Sequence, residues 1–375
     1  MGSPSTTLCL HGSEFDADFL YATGFVAPDP LFWFRKRKRS YLLAPALEIG
    51  RARADARVTH VLDRTAWEKR LERRLGRRPH PLEVIVDVLS SKGVDAVTVP
   101  GHFPVATADA LRRAGISVAV RDGSFFPERV VKRPDEVAAI RTAQAANELA
   151  LDAALTMLRA SKLRRGFLYL QGEKLTSERL KAEVDVTLLR HGCIGRHTII
   201  ASGDQCVDPH NTGSGPIRAH ASIILDIFPR HTASGYFADM TRTVVRGKAS
   251  PRLKEMYAVV KAGQQYAFDR IHGGADGFAI HHGIRRLFDA AGFPTGEIDG
   301  RMQGFFHGTG HGVGLDIHEP PSFGNRPDRL PTGTVVTVEP GLYYEGLGGV
   351  RLEDMVLVTE DGCENLTHAA KFLEL

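Results

Sequence analysis

Four carboxylates, Asp226, Asp239, Glu339 and Glu353, stand in or at the ends of β-rich runs where apolar residues belong. The runs include Ile-Ile-Leu-Asp-Ile, Val-Val-Thr-Val-Glu and Gly-Val-Arg-Leu-Glu. Burying a carboxylate is costly unless it is paired or bound to a metal. Two arginines lie nearby in sequence, Arg242 and Arg351. Strand alternation puts Arg242 on the face opposite Asp239, whereas Arg351, two residues from Glu353, shares its face. One inward arginine does not balance four acids; two divalent cations do. The alternative is four edge-strand acids facing water.

The run Phe305-Phe306-His307-Gly308-Thr309-Gly310-His311-Gly312-Val313-Gly314-Leu315-Asp316-Ile317-His318-Glu319-Pro320 adds three histidines within twelve residues. Its glycines exclude a helix and let the backbone approach a bound group closely. This is not the helical H-E-x-x-H zinc motif, which needs its ligands four residues apart on one helix face. One imidazole with four carboxylates is a hard, oxygen-rich set. It suits Mn²⁺ or Co²⁺, with Zn²⁺ as a third option.

The elements that must position these residues follow from periodicity and caps. Helix patterns run from about Val137 to Leu158, opened by Pro134-Asp135-Glu136, and from Ser177 to Arg190, closed by Gly192. Runs 221–228 and 236–245 predict a hairpin carrying Asp226 and Asp239. Helices follow over 251–270 and 277–291, then a second hairpin pairs 334–339 with 350–359. Helix, helix, hairpin therefore occurs twice, which predicts an internally duplicated α+β domain. His281 and His282 sit on an amphipathic helix pattern without acidic company and read as structural. Ahead of this region, strand patterns at 41–44, 96–100 and 116–120 alternate with helix patterns at 81–92 and 106–114, as in a compact α/β domain.

Charge separates the two regions. The chain has 375 residues, 48 Lys+Arg and 44 Asp+Glu, a formal net charge of +4. Residues 1–127 hold 19 basic and 14 acidic residues, so the excess lies away from the acids that could do chemistry. Arg35-Lys36-Arg37-Lys38-Arg39, between two aromatic-rich strands, reads as a solvated hairpin tip rather than a polyanion patch. Arg70, Arg73, Arg74, Arg77 and Arg78 read as the wet face of a helix. With 43% hydrophobic and 25% charged residues, wholesale disorder is excluded. No apolar stretch reaches the ~18 residues of a membrane span. The start lacks a basic segment leading into an apolar one, so no secretory signal is expected. Cys9, Cys193, Cys206 and Cys363 form no C-x-x-C and suggest reduced thiols in the cytoplasm.

The ordered set Asp226, Asp239, His311, Glu339 and Glu353 resembles the five-ligand metal site of the methionine aminopeptidase/prolidase/creatinase family, the pita-bread metallopeptidases. The motifs SGYFADMTRT, HGTGHGVGLDIHEPP, VVTVEPGLY and GGVRLEDMVLV carry the resemblance. It covers residues 128–375 and, more loosely, 1–127. It implies an α+β pita-bread catalytic domain with an internal pseudo-two-fold repeat over 128–375. A smaller creatinase-like α/β amino-terminal domain would precede it over 1–127.

The resemblance also implies two divalent ions. Asp226 would bind one, His311 and Glu339 the other, and Asp239 and Glu353 would bridge them. Glu339 is then the expected general base, His318 stabilises the oxyanion, and His210 and His307 position the substrate. Arg351 joins this catalytic set, and Thr241, on the face of Asp239, is expected to support a ligand. His307 and the amino-terminal domain favour the proline-directed branch, an Xaa-Pro aminopeptidase or dipeptidase acting on short peptides and associating as a homodimer. A creatinase-type metal-free hydrolase would have ligand positions replaced, and here all five are intact. A non-catalytic binding protein on the same fold is the third option; no nucleic acid or membrane partner is expected. Two departures stand out: the loop between Asp226 and Asp239 is two residues longer than usual, and Arg196 occupies a position where relatives often carry a pocket aromatic.

Overall fold

A computed structural model describes residues 7–375; the first six, part of the chain start read above, lie outside the described residues. The chain divides into two compact units, one ending at Arg129 and one spanning Val130–Leu375.

The first unit contains strands β1 (Thr7–Gly12), β2 (Leu31–Lys36), β3 (Arg39–Ala44), β4 (His60–Asp63), β5 (Ala96–Val99) and β6 (Ser117–Val120). Its helices are α1 (Ala17–Thr23), α2 (Ile49–Asp55), α3 (Arg64–Leu75), α4 (Pro81–Ser91) and α5 (Val105–Arg113). The strands form one mixed sheet in the order β4-β3-β2-β1-β5-β6. Phe32 and Phe34 of β2 join a core with Cys9, Tyr41 and Leu43, covered by Leu71, Val88 and Leu111 of the helices α3, α4 and α5. Leu31 and Trp33 face the other way, into a core with Leu10, Leu42, Phe19 and Ala52. Burial on both faces is why β2 reads as an apolar run without alternation.

The basic clusters are only partly as expected. β2 and β3 pair with Lys36 opposite Arg39, and Arg37 takes φ 55° at the turn. Arg37, Lys38 and Arg39 are exposed, but Arg35 and Lys36 belong to the strand, and Lys36 Nζ donates to the carbonyls of Lys92 and Gly93 at 2.7 Å. α3 stops at Gly76, which takes φ 69°, so Arg77 and Arg78 lie beyond the helix. Arg77 instead forms a two-pronged pair with Glu83.

In the second unit, α6 (Pro134–Ala160) starts at Pro134, a turn earlier than its apolar pattern predicts. Its first turn carries Asp135 and Glu136. α7 (Ser177–Arg190) is capped by the Thr176 hydroxyl, which accepts from Arg179 N. Strands Ile199–Ser202, Ser222–Ile227 and Met240–Val245 form a three-stranded antiparallel sheet. α8 (Pro251–Phe268) and α9 (Gly277–Ala290) follow, capped by Ser250 and Asp276. A five-stranded sheet then takes the order Glu319–Phe323, Gly310–Gly312, Val335–Val338, Asp354–Val358, Cys363–Asn365. Helix, helix, hairpin thus recurs, and Val260, Ile284, Phe288, Val336 and Val356 join the later pair of helices to its sheet in one core.

The second hairpin is a correction to the sequence reading. Val335–Val338 pairs with Asp354–Val358, but Gly348–Arg351 pairs separately with Gly341–Tyr344. Between them, Leu352 N donates to Pro340 O at 3.4 Å and Glu353 N to Thr241 O at 3.1 Å. These two amides therefore leave the ladder, and the run at 350–359 breaks in two. Among the described residues, no helix is long and apolar enough to cross a membrane.

Candidate metal centre

The Asp226 strand, Ser222–Ile227, sets its acid opposite Thr241 across the sheet. Asp239 precedes the neighbouring strand, Glu339 follows Val335–Val338, and Glu353 occupies the break described above. His311 is the central residue of the short strand Gly310–Gly312. Its flanking glycines are required by close approach: a Cβ at Gly310 would collide with the Thr337 carbonyl, and one at Gly312 with that of Pro320. All five residues line one cavity of about 620 Å³, together with His210, His307, His318 and Arg351.

Distances inside the cavity are short. Asp239, His311 and Glu353 offer donor atoms within 4.8 Å of one another. His311 Nε2 is 3.3 Å from Glu339 Oε1 and 3.7 Å from Asp239 Oδ2. His311 Nδ1 lies 3.1 Å from the Gly312 carbonyl, which can only accept. The proton is therefore assigned to Nδ1, and the Nε2 lone pair faces the acids, as a metal ligand requires.

Burial and mutual repulsion dominate the electrostatics. Burial pushes the Asp239 carboxyl well above its usual range, and Glu353, Asp226 and Glu339 add to it. Glu353 rises by burial and by Glu339 and Asp226. Glu339 is pushed up to about 7 by burial, with Arg351 opposing and Asp226 adding. Burial lowers the His311 and His318 imidazoles, so both favour the neutral form that ligates. Asp226 Oδ1 and Asp239 Oδ1 are buried without a hydrogen-bond partner among the described residues. Orphaned carboxylate oxygens beside a neutral imidazole nitrogen fit a divalent cation.

The arginines divide as alternation predicts, with one difference. Arg242 points away from Asp239, to Asp354 at 2.8 Å and to the carbonyls of Glu353 at 2.6 Å and Ala369 at 2.7 Å. Arg351 meets Asp226 rather than Glu353: its Nη2 donates to Asp226 Oδ2 at 2.6 Å. Its Nε donates to Thr241 Oγ1 at 3.2 Å, and that hydroxyl donates to Glu353 Oε2 at 2.7 Å. Thr243 Oγ1 continues the side-chain contacts, donating to Arg351 O and accepting from Arg351 N.

Sequence reasoning missed Tyr343, the last residue of VVTVEPGLY. Its hydroxyl accepts from Arg351 Nη1 at 2.9 Å and lies 2.9 Å from His307 Nε2. Because His307 Nδ1 faces the Gly308 carbonyl at 2.8 Å, Nδ1 carries the proton and Nε2 accepts from Tyr343. Burial and Arg351 lower the His307 imidazole to about 3, so it stays neutral. Both nitrogens are engaged, and His307 presents no spare donor to the cavity. His210 and His318 are exposed and line it directly. Phe228, Phe306, Ile199 and Ile317 supply apolar wall. Arg196 is exposed and outside this lining. His281, read as structural, is buried and hydrogen-bonded to Thr309 between His307 and His311. The helix period explains its burial, and no sequence signal marks that contact.

A sequence profile of metallopeptidase family M24 matches residues 138–360. An Xaa-Pro dipeptidase of Lactobacillus delbrueckii subsp. lactis is 33% identical over 180 residues, 48% of this chain and 46% of that protein. An Xaa-Pro dipeptidase of Pyrococcus furiosus is 35% identical over 178 residues, 47% of this chain and 48% of that one. The chain thus matches these curated relatives over about half of their length. The solved X-Pro aminopeptidase of Thermotoga maritima superposes with a TM-score of 0.82 over 99% of this chain and 97% of its own, at 22% identity, so the two share a fold. With the profile covering more than half of its length, the chain belongs to metallopeptidase family M24.

Proposed function

We propose that this chain is a dinuclear-metal exopeptidase that releases the amino-terminal residue of short peptides at Xaa-Pro bonds. The observation that carries the reading is the pair of orphaned buried oxygens of Asp226 and Asp239 in the cavity that also holds His311, Glu339 and Glu353. Family membership implies divalent metal ions; the oxygen-rich donor set favours Mn²⁺ or Co²⁺ over Zn²⁺. Asp226 would hold one ion, His311 and Glu339 the other, with Asp239 and Glu353 shared. Bound there, divalent ions supply the Lewis acidity that lowers the pKa of water to about 7.

The chain's own residues do the rest. Glu339, lining the cavity 3.3 Å from His311 Nε2, takes the proton of the attacking water and returns it to the leaving nitrogen. His318, against the His311 ring at 4.3 Å, donates to the carbonyl oxygen as charge develops there. His210, from the loop ahead of the Asp226 strand, meets the substrate, and Arg351 fixes Asp226 and, through Tyr343, the His307 ring. An Xaa-Pro bond is a tertiary amide without an N–H, so a peptidase for it recognises shape and carbonyl rather than a backbone donor. The names of the Lactobacillus and Pyrococcus relatives support the proline preference. A homodimer and a cytoplasmic location, the latter in keeping with four free cysteines, belong to the same proposal.

The test is hydrolysis of Gly-Pro, Gly-Pro-Pro and Met-Ala-Ser by protein dialysed against chelator, with and without added Mn²⁺. Cleavage of Gly-Pro alone assigns a dipeptidase; cleavage of Gly-Pro-Pro assigns an aminopeptidase. Cleavage of Met-Ala-Ser only would overturn the proline preference. No activating ion would overturn the metallopeptidase reading.

A further inference from the structure

We propose that His281 is a positioning residue: from α9 it fixes Thr309, and through Thr309 the spacing of His311 and Glu339 in the candidate metal centre. The inference rests on the metal reading above and adds a residue outside the cavity lining. The stretch between Gln303 and Gly310 is neither helix nor continuous strand, yet it carries His307 and leads into His311. Thr309 stands there between two glycines, fully buried. Its three polar groups reach three different elements. Thr309 N donates to Phe323 O at 2.7 Å, and Thr309 O accepts from Glu339 N at 2.8 Å. Its hydroxyl is hydrogen-bonded to His281 Nδ1 at 3.0 Å.

The backbone bonds tie the two strands that flank the loop, but only the third bond reaches the helix layer. His281 is 1% exposed, and its ring lies 5.1 Å from Phe305, which itself stands edge-on to His307 at 5.1 Å. The helix is therefore keyed to the loop on both sides of His307. Burial, with His282 and Arg285 adding and a side-chain hydrogen bond with Asn325 opposing, lowers the His281 imidazole to about 4, which keeps it neutral, with one N–H and one acceptor. From Thr309 the path to the ligands is short. The Glu339 amide hangs on its carbonyl, and the His311 amide donates to Thr337 Oγ1 at 3.0 Å, whose hydroxyl donates to Glu339 Oε1 at 3.3 Å. A glycine-flanked loop without its hydroxyl tether would let His311 and Glu339 drift apart, and outer contacts of this kind govern metal affinity.

Calorimetric titration of the metal-free full chain with Mn²⁺ tests this on four variants. Thr309→Val, which removes the tether at nearly constant volume, and His281→Phe, which removes it with a larger ring, are expected to weaken Mn²⁺ binding about 10- to 100-fold. The double variant should be no weaker than the worse single one, His281→Phe, which also loses the Asn325 contact, since the Thr309 tether is already gone in each. His281→Asn, whose amide can take the place of Nδ1, should recover most of the affinity. Should His281→Phe fail to fold, Thr309→Val decides alone. Wild-type affinity in the single variants, additive losses in the double variant, or no recovery with asparagine would overturn the positioning role. A wild-type chain that binds no Mn²⁺ overturns the metal reading, and this inference with it.

Discussion

Replacing Arg351 with methionine separates the two partners that Asp226 is built to have. In the folded chain its guanidinium donates to Asp226 Oδ2 at 2.6 Å, to Tyr343 OH at 2.9 Å and to Thr241 Oγ1 at 3.2 Å. Asp226 Oδ1 has no partner among the described residues, so losing Arg351 leaves the whole carboxylate buried and unpaired. Methionine keeps the apolar stem of the side chain and removes the guanidinium head, so the loss is mainly that of its charge and hydrogen bonds. Breaking a buried pair by removing one member costs about 3–5 kcal/mol. For a unit of this size that lowers the melting temperature by about 6–20 °C. Mn²⁺ changes the comparison: at 100 times its Kd it stabilises the wild type by about 2.7 kcal/mol. It should stabilise Arg351→Met by more, because the cation then neutralises an acid that nothing else compensates. Thermal unfolding of both proteins with and without Mn²⁺ measures this directly. A gap between them that is unchanged or wider with Mn²⁺ would refute the idea that Arg351 and the cation compensate the same charge.

Glu339→Gln should lower kcat on a proline-containing peptide by about 10²- to 10⁴-fold, and an unchanged kcat removes Glu339 as the base. Tyr343→Phe leaves His307 Nε2 as a buried acceptor without a donor, a loss of about 1–3 kcal/mol. Urea unfolding that finds less than about 0.5 kcal/mol would mean the hydroxyl is not bound as described. His281, lowered to about 4 by burial, has a folded pKa below its unfolded value near 6.5. Its contribution to stability is complete above about 6.5 and is lost as pH falls towards 4. Acid unfolding of His281→Asn should therefore be flatter across that window than that of the wild type, and parallel curves would contradict it.

How far the sequence could be read depended on whether a residue's task was local. The capping residues Thr176 and Pro134 set helix starts by short-range chemistry, and α7 runs from Ser177 to Arg190 as the sequence predicts. Acids in apolar runs were visible because they break the pattern, and the cavity does gather Asp226, Asp239, His311, Glu339 and Glu353. The break at Leu352-Glu353 was not visible. Its cause is a hydrogen bond to Thr241, 112 positions earlier, and the local sequence remains strand-like. β1 escaped notice because burial on both faces erases alternation in a strand of six residues. His281 satisfied a helix pattern and Tyr343 fell between the two strands of the predicted hairpin, so their polar atoms announced nothing until the partners were in place.

The strand Met240–Val245 meets the segment from Arg351 to Asp354 chiefly through side chains. Thr241 reaches Glu353, Arg242 reaches Asp354 and the Glu353 carbonyl, and Thr243 reaches both backbone groups of Arg351. An ordinary sheet is indifferent to sequence at its rungs, because every residue except proline brings the same amide. Here the rungs are hydroxyls and a guanidinium encoded by three consecutive codons. Neutral drift, which a backbone ladder would absorb, is closed to these positions. In a saturation library selected for fold alone, Thr241, Arg242 and Thr243 should be as intolerant as core residues, even before any selection for catalysis is applied.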